Sequence, residues 1–165
     1  MAIYKARHPR NIPASYYKPI GQIIARWTYT ELYMLSIAWH VLEIKNPKAA
    51  RLLTLGLNAV DKVKLFGSLA PRWVTDHSDQ KELEAICKKA EDLRAYRNKL
   101  AHGLWGYKPG NRKRLELFYL RENDVKIMPR PLRMDLAILQ SWAADLDALN
   151  IRLKKFHQQL GAPVP

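Results

Sequence analysis

The chain holds a single cysteine, Cys87, in 165 residues. That excludes an internal disulfide framework and leaves no cysteine cluster for a thiolate metal site. No stretch approaches about 18 uninterrupted apolar residues, so no transmembrane span is expected and no membrane partner is expected either. The first residues lack the apolar run of a secretory signal, which makes cytoplasmic residence the expectation. No His-Glu-x-x-His pair or Cys/His cluster stands at ligand spacing, no glycine-rich loop precedes a Lys-Ser/Thr pair, and no serine sits in a nucleophile elbow. Zinc hydrolases, P-loop enzymes and serine hydrolases are thereby set aside, and neither cofactor nor metal is expected. Acids are scarce as well: 15 Asp and Glu stand against 28 Lys and Arg, a formal net charge of +13. In a chain that is 48% hydrophobic, and so not disordered by composition, this excess points to a polyanion.

What is present reads as helices. Residues 1–18 form a basic and aromatic arm, with Lys5, Arg7, Arg10 and Lys18 among Tyr4, Tyr16 and Tyr17, broken by Pro9 and Pro13. Such an arm suits phosphate contact and base stacking, or packs its tyrosines on the bundle. Residues 19–165 read as one domain. A first helix is expected after Pro19 to about Leu42, with Ile20, Ile24, Trp27, Leu35, Ala38 and Leu42 on its stripe. Asn46 and Pro47 start a second, Lys48 to about Leu69, whose Leu52, Leu55, Ala59, Val63 and Phe66 keep helical spacing; Gly56 offers a close crossing, and Gly67 and Pro71 close it. A third opens at Ser78. The last runs from about Met134 to Leu160 on a near-heptad seam from Ile138 to Leu160, with Gly161 as its cap. Arg152, Lys154, Lys155 and His157 are placed on its solvated face.

Between the third and last helices, a turn at Lys108-Pro109-Gly110 leads into Arg112, Lys113 and Arg114. Leu115–Leu120 and Val125–Met128 read as the strands of a hairpin (about residues 113–128), which Pro129 and Pro131 end. The expected fold is all-α, a four- to five-helix bundle with a short β-hairpin inserted before the last long helix.

The third helix carries the chemistry. Its stripe of Leu83, Ile86, Ala90, Leu93 and Leu100 lacks one member, and Arg97 stands there. A guanidinium does not lose its charge, so either the stripe is not fully buried there, or a partner or an anionic ligand compensates it. Glu31 interrupts the stripe of the first helix in the same way and is the candidate partner. Asn98 and His102 are i and i+4, and Arg97 lies about 100° to the side. An arginine, a carboxamide and an imidazole at one helix end make a candidate phosphate site, rimmed by Lys108, Arg112, Lys113 and Arg114.

The stretch Arg97-Asn98-Lys99-Leu100-Ala101-His102 resembles the Arg-x4-His motif of HEPN domains, many of which are metal-independent ribonucleases. The aromatic Trp27 followed four residues on by Glu31 is also similar to HEPN sequences, whereas the hairpin departs from a bare four-helix core. The resemblance implies a HEPN-like bundle with Arg97, Asn98 and His102 as catalytic residues and Glu31 beside the site. It further implies RNA as substrate and a homodimer with a composite active site. A role as toxin or phage-defence effector, with an antitoxin protein as partner, is common in that family. The competing expectation is a non-catalytic HEPN-like module that binds nucleic acid or a partner protein, with Arg97 and His102 tying the third helix to Glu31.

Overall fold

The computed structural model describes residues 12–74, 77–108, 111–119 and 130–161. Among these, the elements follow as α1 (Ala14–Val41), α2 (Pro47–Thr54), α3 (Ala59–Trp73), α4 (His77–His102), β1 (Leu104–Lys108), β2 (Asn111–Tyr119), β3 (Arg130–Arg133) and α5 (Leu136–Gln159). The chain is mostly helical with a small antiparallel sheet. None of the described helices is long and apolar enough to cross a membrane.

Helix α1 begins at Ala14, inside the stretch expected as an arm, and carries Pro19 in its second turn. Pro19 is the sixth helical residue, so its missing N–H removes the bond to the Ser15 carbonyl, a loss confined to the opening turns of a 28-residue helix. Tyr16 packs against the core from this added turn, while Tyr17 is exposed. The rest of the arm, residues 1–11, lies outside the described residues. The buried stripe is Ile23, Trp27, Met34, Ile37 and Val41, a step round from the expected one, and Leu42 is partly exposed. After the helix, Glu43 takes φ 55°, its N–H donates to the His40 carbonyl, and the Ile44 N–H donates to that of Trp39. This is a Schellman closure with a glutamate where glycine is usual.

The segment expected as one helix over Lys48 to Leu69 is two. Asn46 caps α2 through Oδ1, which accepts from the N–H groups of Lys48 and Ala49. Asn58 then caps α3, accepting from Val60 and Asp61 at 2.8 and 3.1 Å. A second cap inside an unbroken hydrophobic spacing restarts the helix. Gly56 sits in the break with open space where a Cβ would be, so it makes no close crossing. Helix α3 continues through Gly67 and Pro71 to Trp73.

Helix α1 packs most extensively on α5 and next on α3, while α4 packs on α3 and α5. The α1–α5 seam is partly polar. Thr30 Oγ1 donates to Asn150 Oδ1 at 2.8 Å, and Asn150 Nδ2 donates to the Arg26 carbonyl. About two turns along the seam, Ser36 Oγ and His157 Nε2 lie 2.9 Å apart. His157 is therefore buried and does not belong to the solvated face. Arg152, from that same face, holds Glu82 of α4 through Nε and Nη2.

In place of a two-stranded hairpin there is a three-stranded meander, β1-β2-β3. The first partner of β2 is β1, with Leu104 opposite Phe118 and Tyr107 opposite Leu115. The second strand expected, Val125–Met128, lies outside the described residues. Pro131, expected to end the hairpin, is inside β3 and opposite Phe118. An edge strand accepts proline because one side of its backbone has no ladder to join. Met134 then returns an N–H to Leu115 before Asp135 caps α5.

Candidate functional site

Leu83, Ile86, Ala90, Leu93 and Leu100 of α4 are all buried, and Arg97 lies on their stripe between Leu93 and Leu100. The stem of Arg97 is thereby drawn into the core, and its Nε is buried without an acceptor. Its Nη1 donates to Asn98 Oδ1 at 3.0 Å. Among the described residues, Arg26, Arg94 and Arg152 each hold a carboxylate; no carboxylate pairs with Arg97. Leaving a buried donor unsatisfied costs about 1–3 kcal/mol, and more when the group is charged.

Glu31 is not the partner. Its Oε2 accepts from Lys62 Nζ at 2.6 Å, and its Oε1 accepts from the indole N–H of Trp27. The carboxylate on α1 is thus satisfied by α3 and by its own helix. Neither carboxylate oxygen therefore serves Arg97 of α4.

Asn98 Oδ1 accepts from Arg97, which leaves both N–H donors of its Nδ2 for a ligand. Arg97 Nε and Asn98 Nδ2 thus place donors side by side, an arrangement that suits an anion. The C-terminal end of a helix carries a partial negative charge, which disfavours anions. An anion here has to be held by side chains, and cationic ones stand close in the chain: Lys99 within the last turn and Lys108 at the exposed end of β1. His102 is exposed at the end of α4, about one turn beyond Asn98 along the axis. The three motif residues thus share the last two turns, with Arg97 and Asn98 in direct contact. The backbone of Arg112, Lys113 and Arg114 lies in β2, adjoining β1, and their side chains are outside the described ones.

Two features fix this helix end. Tyr96 stacks on Trp142 of α5, with ring centroids 4.3 Å apart and planes 2° from parallel. Lys99 Nζ stands 5.4 Å from the centroid of the same tyrosine. Gly103 joins α4 to β1 directly. A Cβ there would lie 2.4 Å from the Lys99 carbonyl oxygen and 2.6 Å from Leu117 Cδ1, so only glycine lets the sheet close on the helix. Neither the Tyr96–Trp142 pair nor the Gly103 pinch was singled out from sequence. The glycine after His102 was the available signal for the pinch.

Cys87 faces Gly67 of α3, where an added Cβ would meet its Sγ at 3.5 Å, and burial, aided by the charge of Glu84, pushes its thiol up to about 11. A thiol so disposed packs and does not act as a nucleophile. No family model, curated protein or solved structure matches this chain.

Proposed function

We propose that the protein is a metal-independent endoribonuclease of the HEPN type, with Arg97, Asn98 and His102 as its catalytic residues. The observation that carries this reading is the guanidinium of Arg97, which lies on a core stripe and has no carboxylate partner among the described residues. A bound phosphate supplies the missing acceptor.

RNA brings its own nucleophile. The 2′-hydroxyl oxygen forms a bond to the adjacent phosphorus, the bond from phosphorus to the 5′-oxygen breaks, and the products are a 2′,3′-cyclic phosphate and a 5′-hydroxyl. His102 accepts the proton of the 2′-hydroxyl, and a second acid returns a proton to the leaving 5′-oxygen. Arg97 spreads its donors over the phosphate oxygens as negative charge builds there, and Asn98 Nδ2 adds another. Each motif has one histidine, so the second proton carrier comes from a second copy of the chain across a two-fold interface. Lys108, Arg112, Lys113 and Arg114 hold the RNA backbone beside the cut. A toxin or defence role, held in check by an antitoxin protein, is the biological setting that the HEPN resemblance implies.

The test is incubation with total RNA and a labelled tRNA in EDTA, beside His102→Ala. Because His102 is exposed, that variant should fold as the wild type does, which a melting curve checks. Cleavage by the wild type alone, leaving cyclic-phosphate ends, is the expected result. Equal retardation of intact RNA by both proteins would replace the enzyme with a binding module.

A further inference from the structure

Helix α2 is built with its apolar side outward. It buries Ala50 and Thr54, whereas Leu52, Leu53 and the capping Leu55 are 73%, 67% and 80% exposed. At about 100° per residue these three leucines fan over roughly 160° of the helix surface. Lys48 and Arg51 are exposed within or beside that fan, and Lys45 precedes the helix. Between Glu43 and Asp61 the sequence contains no acid. The leucines keep core-like spacing with Ala59, Val63 and Phe66, yet the break at Gly56 turns them away from the core that Val63 and Phe66 enter.

A leucine cluster exposed to this degree marks an interaction surface. A second copy of the chain is a poor occupant, since it would bring two like-charged faces together with no acid between Glu43 and Asp61 to pair Lys48 and Arg51. A protein groove reads a narrow stripe of a helix, and this fan is wider than that. Nucleic acid would engage the cations and leave the leucines in water. An anionic lipid surface answers both features, because it attracts the cations and takes up leucines without a shaped pocket.

We propose that α2 is a peripheral membrane-contact element, whose Leu52, Leu53 and Leu55 enter the interface of an anionic phospholipid bilayer while Lys45, Lys48 and Arg51 meet the headgroups. The expectation of no membrane partner rests on the absence of a spanning segment, and surface contact requires none.

The test is co-sedimentation of the full chain with vesicles of phosphatidylglycerol and phosphatidylcholine, or of phosphatidylcholine alone, at low and high salt. Wild type is compared with Leu52→Ser/Leu53→Ser/Leu55→Ser and with Leu53→Lys. Wild type should bind the anionic vesicles and retain part of that binding at high salt. The triple variant should bind at least about tenfold more weakly and lose the salt-resistant part. Leu53→Lys separates insertion from charge: it weakens binding if the leucine enters the lipid, and strengthens it if charge alone acts. Unchanged binding of the triple variant, stronger binding of Leu53→Lys, or no vesicle binding by wild type would each overturn the proposal. So would a wild-type dimer that the triple variant dissociates, since a second copy would then cover the face. Unchanged melting curves establish that the variants are folded.

Discussion

Lys62 Nζ lies 2.6 Å from Glu31 Oε2, and both side chains are less than one-fifth exposed, at 19% and 17%. Removing one member strands the other in a half-buried site, whereas removing both leaves a neutral contact. Lys62→Met should therefore destabilise the fold by about 1–3 kcal/mol, and adding Glu31→Gln should restore part of it. Urea unfolding of the two single variants and the double variant measures this. Since Glu31 is held by Lys62 and not by Arg97, the proposed function predicts that folded Glu31→Gln cleaves RNA as the wild type does.

Arg97→Met keeps the apolar stem in the stripe between Leu93 and Leu100 and removes the orphaned Nε. The melting temperature should be unchanged or raised, corresponding to within about 1 kcal/mol of wild type or above it. RNA cleavage should fall by roughly 100-fold or more, as expected when a transition-state donor is lost. A cooperative loss of structure in this variant would mean that the guanidinium serves the fold.

Glu43 holds a left-handed conformation, φ 55°, at the close of α1. Glycine adopts that conformation without the clash of a Cβ, so Glu43→Gly should stabilise the protein by about 0.5–1 kcal/mol. Proline there is confined to negative φ and has no N–H to give His40, so Glu43→Pro should destabilise it. Thermal melts of the two variants should move in opposite directions.

Hydrogen bonds from Arg152 hold the Glu82 carboxyl below its ordinary value near 4.5. A carboxyl depressed in the folded state contributes stability above its unfolded value and loses it as pH falls through the folded one. Both side chains are more than a third exposed, so solvent keeps the contribution small. The gap in urea midpoint between wild type and Arg152→Met should be constant above pH 4.5 and shrink below it.

Where one stripe determined the answer, the sequence was enough to place an element. Leu83 through Leu100 place α4, and the seam from Ile138 to Leu160 places α5. The segment after Asn46 misleads because Leu52 and Leu55 keep the spacing of Val63 and Phe66 across a break that Asn58 imposes. Periodicity records the face a residue shares, not whether the backbone between is continuous. Strand β1 is not evident in the sequence because Gly106 lowers its strand propensity, and pairing with β2 compensates. Partners distant in sequence left no local trace. Ser36 meets His157 across 121 residues, and Lys62 takes Glu31 from Arg97 through the placement of α3. The place of Arg97 on the buried stripe was legible, because a charge there is a local contradiction that one helix displays by itself.

Helix ends ordinarily fray, opening and closing on a much lower free-energy scale than the core. The end of α4 is denied that freedom. The N–H of Gly103 still bonds to the Lys99 carbonyl at 2.8 Å, and Leu117, fully buried, closes over the glycine from the sheet. Unwinding the turn that bears Asn98 and His102 therefore requires lifting β2 from the bundle. The exposed imidazole stands on one of the slower-opening parts of the molecule, and amide exchange in that turn should keep pace with the strand instead of with the surface.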